Sequence, residues 1–166
     1  MKVLVAVASK YGATSEIAQA VGEALREGGI ENTVEQVDRA SAVELYDAVV
    51  VGSAVYAGHW LKGAKEFVEA NAQALATRPT WLFSSGPIGH PPKPEEDPVD
   101  AAPMVEMTGA RDHRVFPGKL DKRKLNFGEK ALVIALRAPE GDYRDWDEIR
   151  AWATDIAHTL QANRPG

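Results

Sequence analysis

The opening stretch MKVLVAVASKYGATSEIAQA restricts the rest of the chain more than any other. Val3, Leu4, Val5, Ala6 and Val7 form an unbroken aliphatic run, too short to span a bilayer and without an alternating polar face. That is the pattern of a strand buried on both sides of a parallel sheet. From Thr14 onward Ile17, Ala18, Val21 and Leu25 recur at helical spacing until Gly28 and Gly29 stop them. A chain that leaves a buried strand and enters a helix at once aims unpaired N–H groups and the positive helix end at one point, which favours an anion. The connecting residues Ser9, Lys10, Tyr11, Gly12, Ala13, Thr14 and Ser15 suit a phosphate: three carry aliphatic hydroxyls, and Gly12 permits positive φ or close approach. The bland alternative is an ordinary turn capped by Thr14 or Ser15. The turn matches neither G-x-x-x-x-G-K-[ST] nor G-x-G-x-x-G, which sets aside the P-loop and the dinucleotide fingerprint.

The same grammar recurs downstream. Residues 33–37 read as a strand, and Asp47, Ala48, Val49, Val50, Val51 and Gly52 as another of buried type. The latter leads into the loop Ser53, Ala54, Val55, Tyr56, Ala57, Gly58 and His59, then a helix with Leu61, Ala64, Phe67 and Val68 on one face. A further apolar run at 79–84 leads into Ser85, Gly86, Pro87, Ile88 and Gly89, and then into the proline-rich segment 90–98, read as an ordered surface loop or a lid. Asp100 is expected to cap a helix that tolerates Pro103 in its first turn and ends at Gly109. Residues 113–116 read as the last strand, closed by Pro117 and Gly118. Residues 119–137 add a basic segment and an apolar helical stretch at 131–136. Asp145, with Glu148 three residues on, opens a terminal helix whose buried stripe is Ile149, Trp152, Ile156 and Leu160. Strands alternating with helices predict an α/β doubly wound parallel sheet, whose ligand crevice lies at the strands' carboxyl ends. Three Ser/Gly-bearing loops converge there: residues 9–15, 53–59 and 84–89.

A chain of 166 residues, 45% hydrophobic and 26% charged, suits one domain spanning 1–166. The absence of cysteine rules out disulfides, thiol nucleophiles and thiolate metal sites, and no metal is expected. A net charge of −5 argues against nucleic acid as partner. With no leader-like segment before Val3 and no apolar run near the ~20 residues of a spanning helix, a soluble cytoplasmic protein is expected. A receiver domain of similar topology needs an acidic pair after the first strand and an Asp ending the third, but Ala8-Ser9 and Gly52-Ser53 stand there. A serine hydrolase is disfavoured by the lack of a G-x-S-x-G elbow, and His59, His90 and His113 have no identifiable nucleophile partner.

The three-loop layout resembles the flavodoxin-like fold, in which SKYGATSEIA occupies the place of the T/S-x-T-G-x-T phosphate loop. Ser9, Gly12, Ala13 and Thr14 carry over; Tyr11 stands where a threonine is usual. The stretch GSAVYAGHWLKGAKEFV, and the segment 118–142 before the last helix, are similar to the menaquinone-dependent protoporphyrinogen oxidase branch of that fold. The resemblance implies a five-stranded sheet in the order 2-1-3-4-5 and FMN as cofactor. Its phosphate would lie on Ser9, Lys10, Tyr11, Gly12, Ala13 and Thr14. The ring would lie between Ser53, Ala54, Val55, Tyr56, Ala57 and Gly58 on one side and Ser84, Ser85, Gly86 and Pro87 on the other. Tyr56 and Trp60 offer aromatic faces from the second loop, with core packing the alternative for Trp60, while the third loop offers none. One flavin face would then be open to a bulky donor. Two functions follow: an FMN oxidoreductase acting on a porphyrinogen-type donor with a quinone or other acceptor, or a one-electron carrier without its own substrate. A small-molecule or redox-protein electron partner is expected in either case, with a peripheral membrane or quinone contact through the basic segment in the first.

Overall fold

Alternation along β1 (Lys2–Ala8) explains why this strand is apolar throughout: Val3, Val5 and Val7 face one helical layer, and Leu4, Ala6 and Ala8 the other. The computed structural model describes residues 1–40, 42–89, 93–94 and 96–163. β1 pairs in parallel with β2 (Glu31–Gln36) and with β3 (Ala48–Tyr56), which pairs with β5 (Thr80–Ser85), and that in turn with β6 (His113–Phe116). The order β2-β1-β3-β5-β6 is the expected 2-1-3-4-5 arrangement once the short strand β4 (His59–Trp60) is set aside.

Helices α1 (Ala13–Glu27) and α6 (Trp146–Ala162) cover one face, where Ile17, Val21 and Leu25 meet Ile149, Trp152, Ile156 and Leu160 beneath Phe83 and Phe116. The other face is covered by α2 (Lys62–Ala70), α3 (Ala72–Ala76) and α4 (Ala101–Thr108), which contribute Phe67, Val68, Leu75 and Met104. Each such fully buried side chain stabilises the fold by about 1.5–3 kcal/mol.

Several boundaries differ from the sequence reading. The strand expected at 33–37 begins at Glu31, because β1 supplies partners from Lys2↔Glu31 onward. The strand expected to end at Gly52 continues to Tyr56. Ala57 (φ 51°) and Gly58 (φ 79°) then turn the chain so that β4 runs back antiparallel, pairing Val55↔Trp60 and Tyr56↔His59. Most of the expected second loop is therefore a hairpin. Asp100 precedes α4, but its side chain makes no capping bond; its Oδ2 accepts from Trp60 N at 2.9 Å and ties the hairpin to α4. Of the irregular segment 90–98, residues 90–92 and 95 lie outside the described residues, and Ile88 and Lys93 flank that stretch as an antiparallel bridge.

The segment after β6 is more ordered than its composition suggests. β7 (Lys119–Leu120) pairs antiparallel with β8 (Gly141–Asp142) and closes a flap that carries α5 (Phe127–Leu136). This helix starts four residues before the expected 131, because Asn126 and Glu129 form a reciprocal capping box. At α6 the cap bond runs as expected, Glu148 N donating to Asp145 Oδ1 at 3.1 Å.

Candidate functional site

A cavity of about 890 Å³ opens at the carboxyl ends of β1, β3 and β5, walled by the phosphate-type loop, the hairpin, the third loop and the flap. In the first loop Gly12 takes φ 93° and donates its N–H to Ser9 Oγ at 3.0 Å. The first backbone bond of α1 is Glu16 N to Gly12 O, so the N–H groups of residues 13–15 have no acceptor within the helix. Ser9, Tyr11, Ala13 and Thr14 line the cavity, with Thr14 almost wholly buried. Lys10 and Gly12 are not part of that lining, and the Ser15 hydroxyl accepts from Gln36 Nε2 at 2.8 Å.

From the hairpin, Ala54, Val55, Tyr56 and Ala57 line the cavity. Ser53 is fully buried beneath them: its hydroxyl donates to Ala54 O at 2.8 Å and accepts from Leu61 N at 3.0 Å, holding the hairpin base. Gly58 O accepts from Val99 N at 2.8 Å. Trp60 is 2% exposed and donates its Nε1 proton to Ser84 Oγ at 2.8 Å, so it packs in the core and presents no face to the cavity.

Ser85 and Gly86 of the third loop line the cavity, whereas Ser84 lies beneath it, 2.7 Å from His113 Nε2. Burial pushes the His113 pKa below its ordinary value, so the imidazole is the neutral partner in this contact. Pro87 is buried, and its carbonyl accepts from Gly118 N at 2.7 Å where the flap leaves the sheet. Among the described lining residues the aromatic rings are Tyr11 and Tyr56, edge to face at 6.5 Å, and burial raises the Tyr56 pKa to about 12.

The flap supplies a wall that is both apolar and cationic, with Leu120, Leu125, Leu132 and Val133 beside Lys119, Lys124 and Arg137. It also supplies Glu129, which the sequence reading missed although Asn126-x-x-Glu129 ahead of an apolar run has capping-box spacing. Lys10 Nζ donates to Glu129 Oε2 at 2.7 Å, and the Tyr11 hydroxyl donates to Oε1. The bond from Lys10, and next that from Tyr11, holds the Glu129 carboxyl down at about 2. These bonds are complete above the ordinary carboxylate range and are lost only as pH falls towards that value. At the far end of the flap, Arg144 donates to Asp142 Oδ2 at 2.8 Å, to Ala13 O at 3.2 Å and to Glu16 Oε1 at 3.3 Å. The flap is thus tied to the phosphate-type loop at two places, the first turn of α5 and the residues just after β8.

A family model described as a flavodoxin domain matches residues 4–147. The protoporphyrinogen IX dehydrogenase [quinone] of Escherichia coli K12 is 27% identical, the alignment covering 95% of this chain and 96% of that protein. An archaeal flavodoxin superposes with a TM-score of 0.68 at 18% identity, covering 97% of this chain and 99% of its own. The flavodoxin of Streptococcus pneumoniae TIGR4 superposes with a TM-score of 0.63 at 19% identity, covering 99% of this chain and all of its own.

Proposed function

Since the chain belongs to the flavodoxin domain family, we propose that it is a single FMN-binding unit and an oxidoreductase. In this reading it takes hydrogen from a bulky porphyrinogen-type donor and passes electrons to a quinone or another acceptor. The residues present fit FMN. The helix-start N–H groups of 13–15 lack internal acceptors, no heavy atom stands within 4 Å of the position a Gly12 Cβ would take, and Ser9 and Thr14 add hydroxyls. Bound FMN would supply the electron-accepting ring, and the protein's part is to place it and select what meets it. The observation that carries the enzyme reading is the cavity's asymmetry. Its aromatic rings among the described residues are Tyr11 and Tyr56, while the flap wall combines leucines and valine with Lys119, Lys124 and Arg137, and its two carboxylates, Asp121 and Glu129, are each paired with a cation from outside the lining, Arg123 and Lys10. A wall of that chemistry suits a planar apolar donor bearing carboxylates.

The reading is tested by the visible spectrum of the purified protein, which should be yellow with one FMN per chain. Reductive titration follows. Uptake of two electrons in one step supports the enzyme, and two separated one-electron steps support the carrier, the reading favoured by the similarity in fold to flavodoxins. A preparation that neither contains nor takes up flavin would sink both.

No helix among the described residues is long and apolar enough to cross a membrane. Helix α5 nevertheless exposes Phe127 (90%) and Ile134 (69%) close in sequence to Lys122, Arg123, Lys124 and Lys130. This suits peripheral contact with an anionic bilayer that stores the acceptor. Reversing Lys122, Arg123 and Lys124 to Glu should weaken binding to anionic vesicles about a hundredfold at low salt, at roughly 1 kcal/mol per cation. The loss should shrink as salt rises. Equal vesicle binding by the reversed variant would sink the membrane contact.

A further inference from the structure

Of the four carboxylates that line the cavity, Glu16, Glu96, Asp121 and Glu129, two are tied to the phosphate-type loop through their counter-ions, Glu16 through Arg144 and Glu129 through Lys10, and those counter-ions do not line it. Lys10, the sole cation within that loop, gives its Nζ to Glu129 Oε2 at 2.7 Å. Arg144, paired with Glu16 at 3.3 Å, is also engaged by Asp142 and by Ala13 O. The loop therefore meets a ligand with backbone N–H groups inside and an acidic collar around them. The cations that do line the cavity belong to the flap and to the strand-like segment after the third loop: Lys119, Lys124, Arg137 and Lys93.

We propose that Glu129, latched to Lys10 and Tyr11, makes this loop selective for a flavin that ends in a phosphate monoester, against one extended through a second phosphate to a nucleoside. This rests on the FMN reading above. A single phosphate is met within the loop by the N–H groups of residues 13–15 and the hydroxyls of Ser9 and Thr14. A second phosphate has to extend past the loop, towards the Glu129 and Glu16 carboxylates that line the cavity there. A nucleoside beyond it has to displace the start of α5. That start is held by three bonds to one carboxylate: from Lys10, from Tyr11 and from Asn126 N at 3.1 Å.

The test is a competition on the full chain loaded with FMN, equilibrated with graded FAD and analysed for bound flavin. Wild type should retain FMN against a large excess of FAD. Glu129→Gln keeps an oxygen for Tyr11 and Asn126, removes the charge, and puts an amide NH2 where Lys10 had its acceptor, which releases that lysine. It should lower the preference for FMN by about tenfold, the equivalent of one modest like-charge repulsion, and Glu129→Ala should lower it further by freeing α5. Thermal melts monitored by circular dichroism verify that both variants are folded. An unchanged preference in both folded variants overturns the gate and leaves the FMN reading intact. So does a wild type that exchanges FMN for FAD freely. A wild type that takes up no flavin overturns the FMN reading and the gate together.

Discussion

Gly52→Ala is expected to lower the melting temperature by about 5–10 °C. Gly52 sits at the centre of β3, opposite Val7 on β1 and Phe83 on β5. A Cβ built there lies 2.0 Å from Phe83 Cζ, with two more ring atoms within 2.5 Å. The ring has little room to retreat. Phe83 is fully buried, with Phe116 and Trp152 each at 6.0 Å between ring centroids. Overpacking of this kind costs about 1–3 kcal/mol, and a domain of this size loses about 2–4 °C per kcal/mol. Gly52→Ala combined with Phe83→Leu should recover part of the loss, because the smaller side chain vacates the space the methyl needs. Calorimetry on the two variants decides it: a single variant that melts like wild type would mean that the ring can move aside.

The largest expected effect on binding comes from the phosphate-type loop. Thr14→Ala should weaken FMN about tenfold to a hundredfold, since a hydrogen bond to a charged group contributes about 1.5–3 kcal/mol. Gly12→Val should act chiefly through the backbone, because no heavy atom stands within 4 Å of the position its Cβ would take while φ 93° disfavours any L-residue by about 1–3 kcal/mol. The chain can relieve that strain by rotating Gly12, and this turns the N–H groups of residues 13–15 away from the ligand. Isothermal titration of the flavin-free protein measures both. Unchanged FMN affinity in the two variants together would place the phosphate elsewhere.

The sheet and its two-sided core were legible because β1, β3 and β5 are apolar on both faces, a signal that depends only on which residues must leave water. Helix α6 was legible from a 3.6-residue stripe and an Asp cap. The phosphate-type loop was legible from its place between a buried strand and an amphipathic helix, where unpaired N–H groups follow from helix geometry itself. All of this is local in the chain.

Other features rest on partners distant in sequence. Ser53 and Ser84 carry hydroxyls that suit a ligand on composition, yet Leu61, Trp60 and His113 engage them beneath the cavity floor. Trp60, an aromatic in a ligand loop by sequence, turns inward because β4 pairs with β3 and carries the indole to Ser84. Glu129 lies 119 residues from Lys10, and only the flap's closure through β7 and β8 brings it to the loop. Periodicity and local turn chemistry, properties of neighbouring residues, determined the strands, the helices and the turn whose N–H groups stay unpaired at the start of α1. Which polar groups face the cavity and which are taken up beneath it was decided by tertiary contacts alone, because a hydrogen bond depends on distance in space and not on separation along the chain.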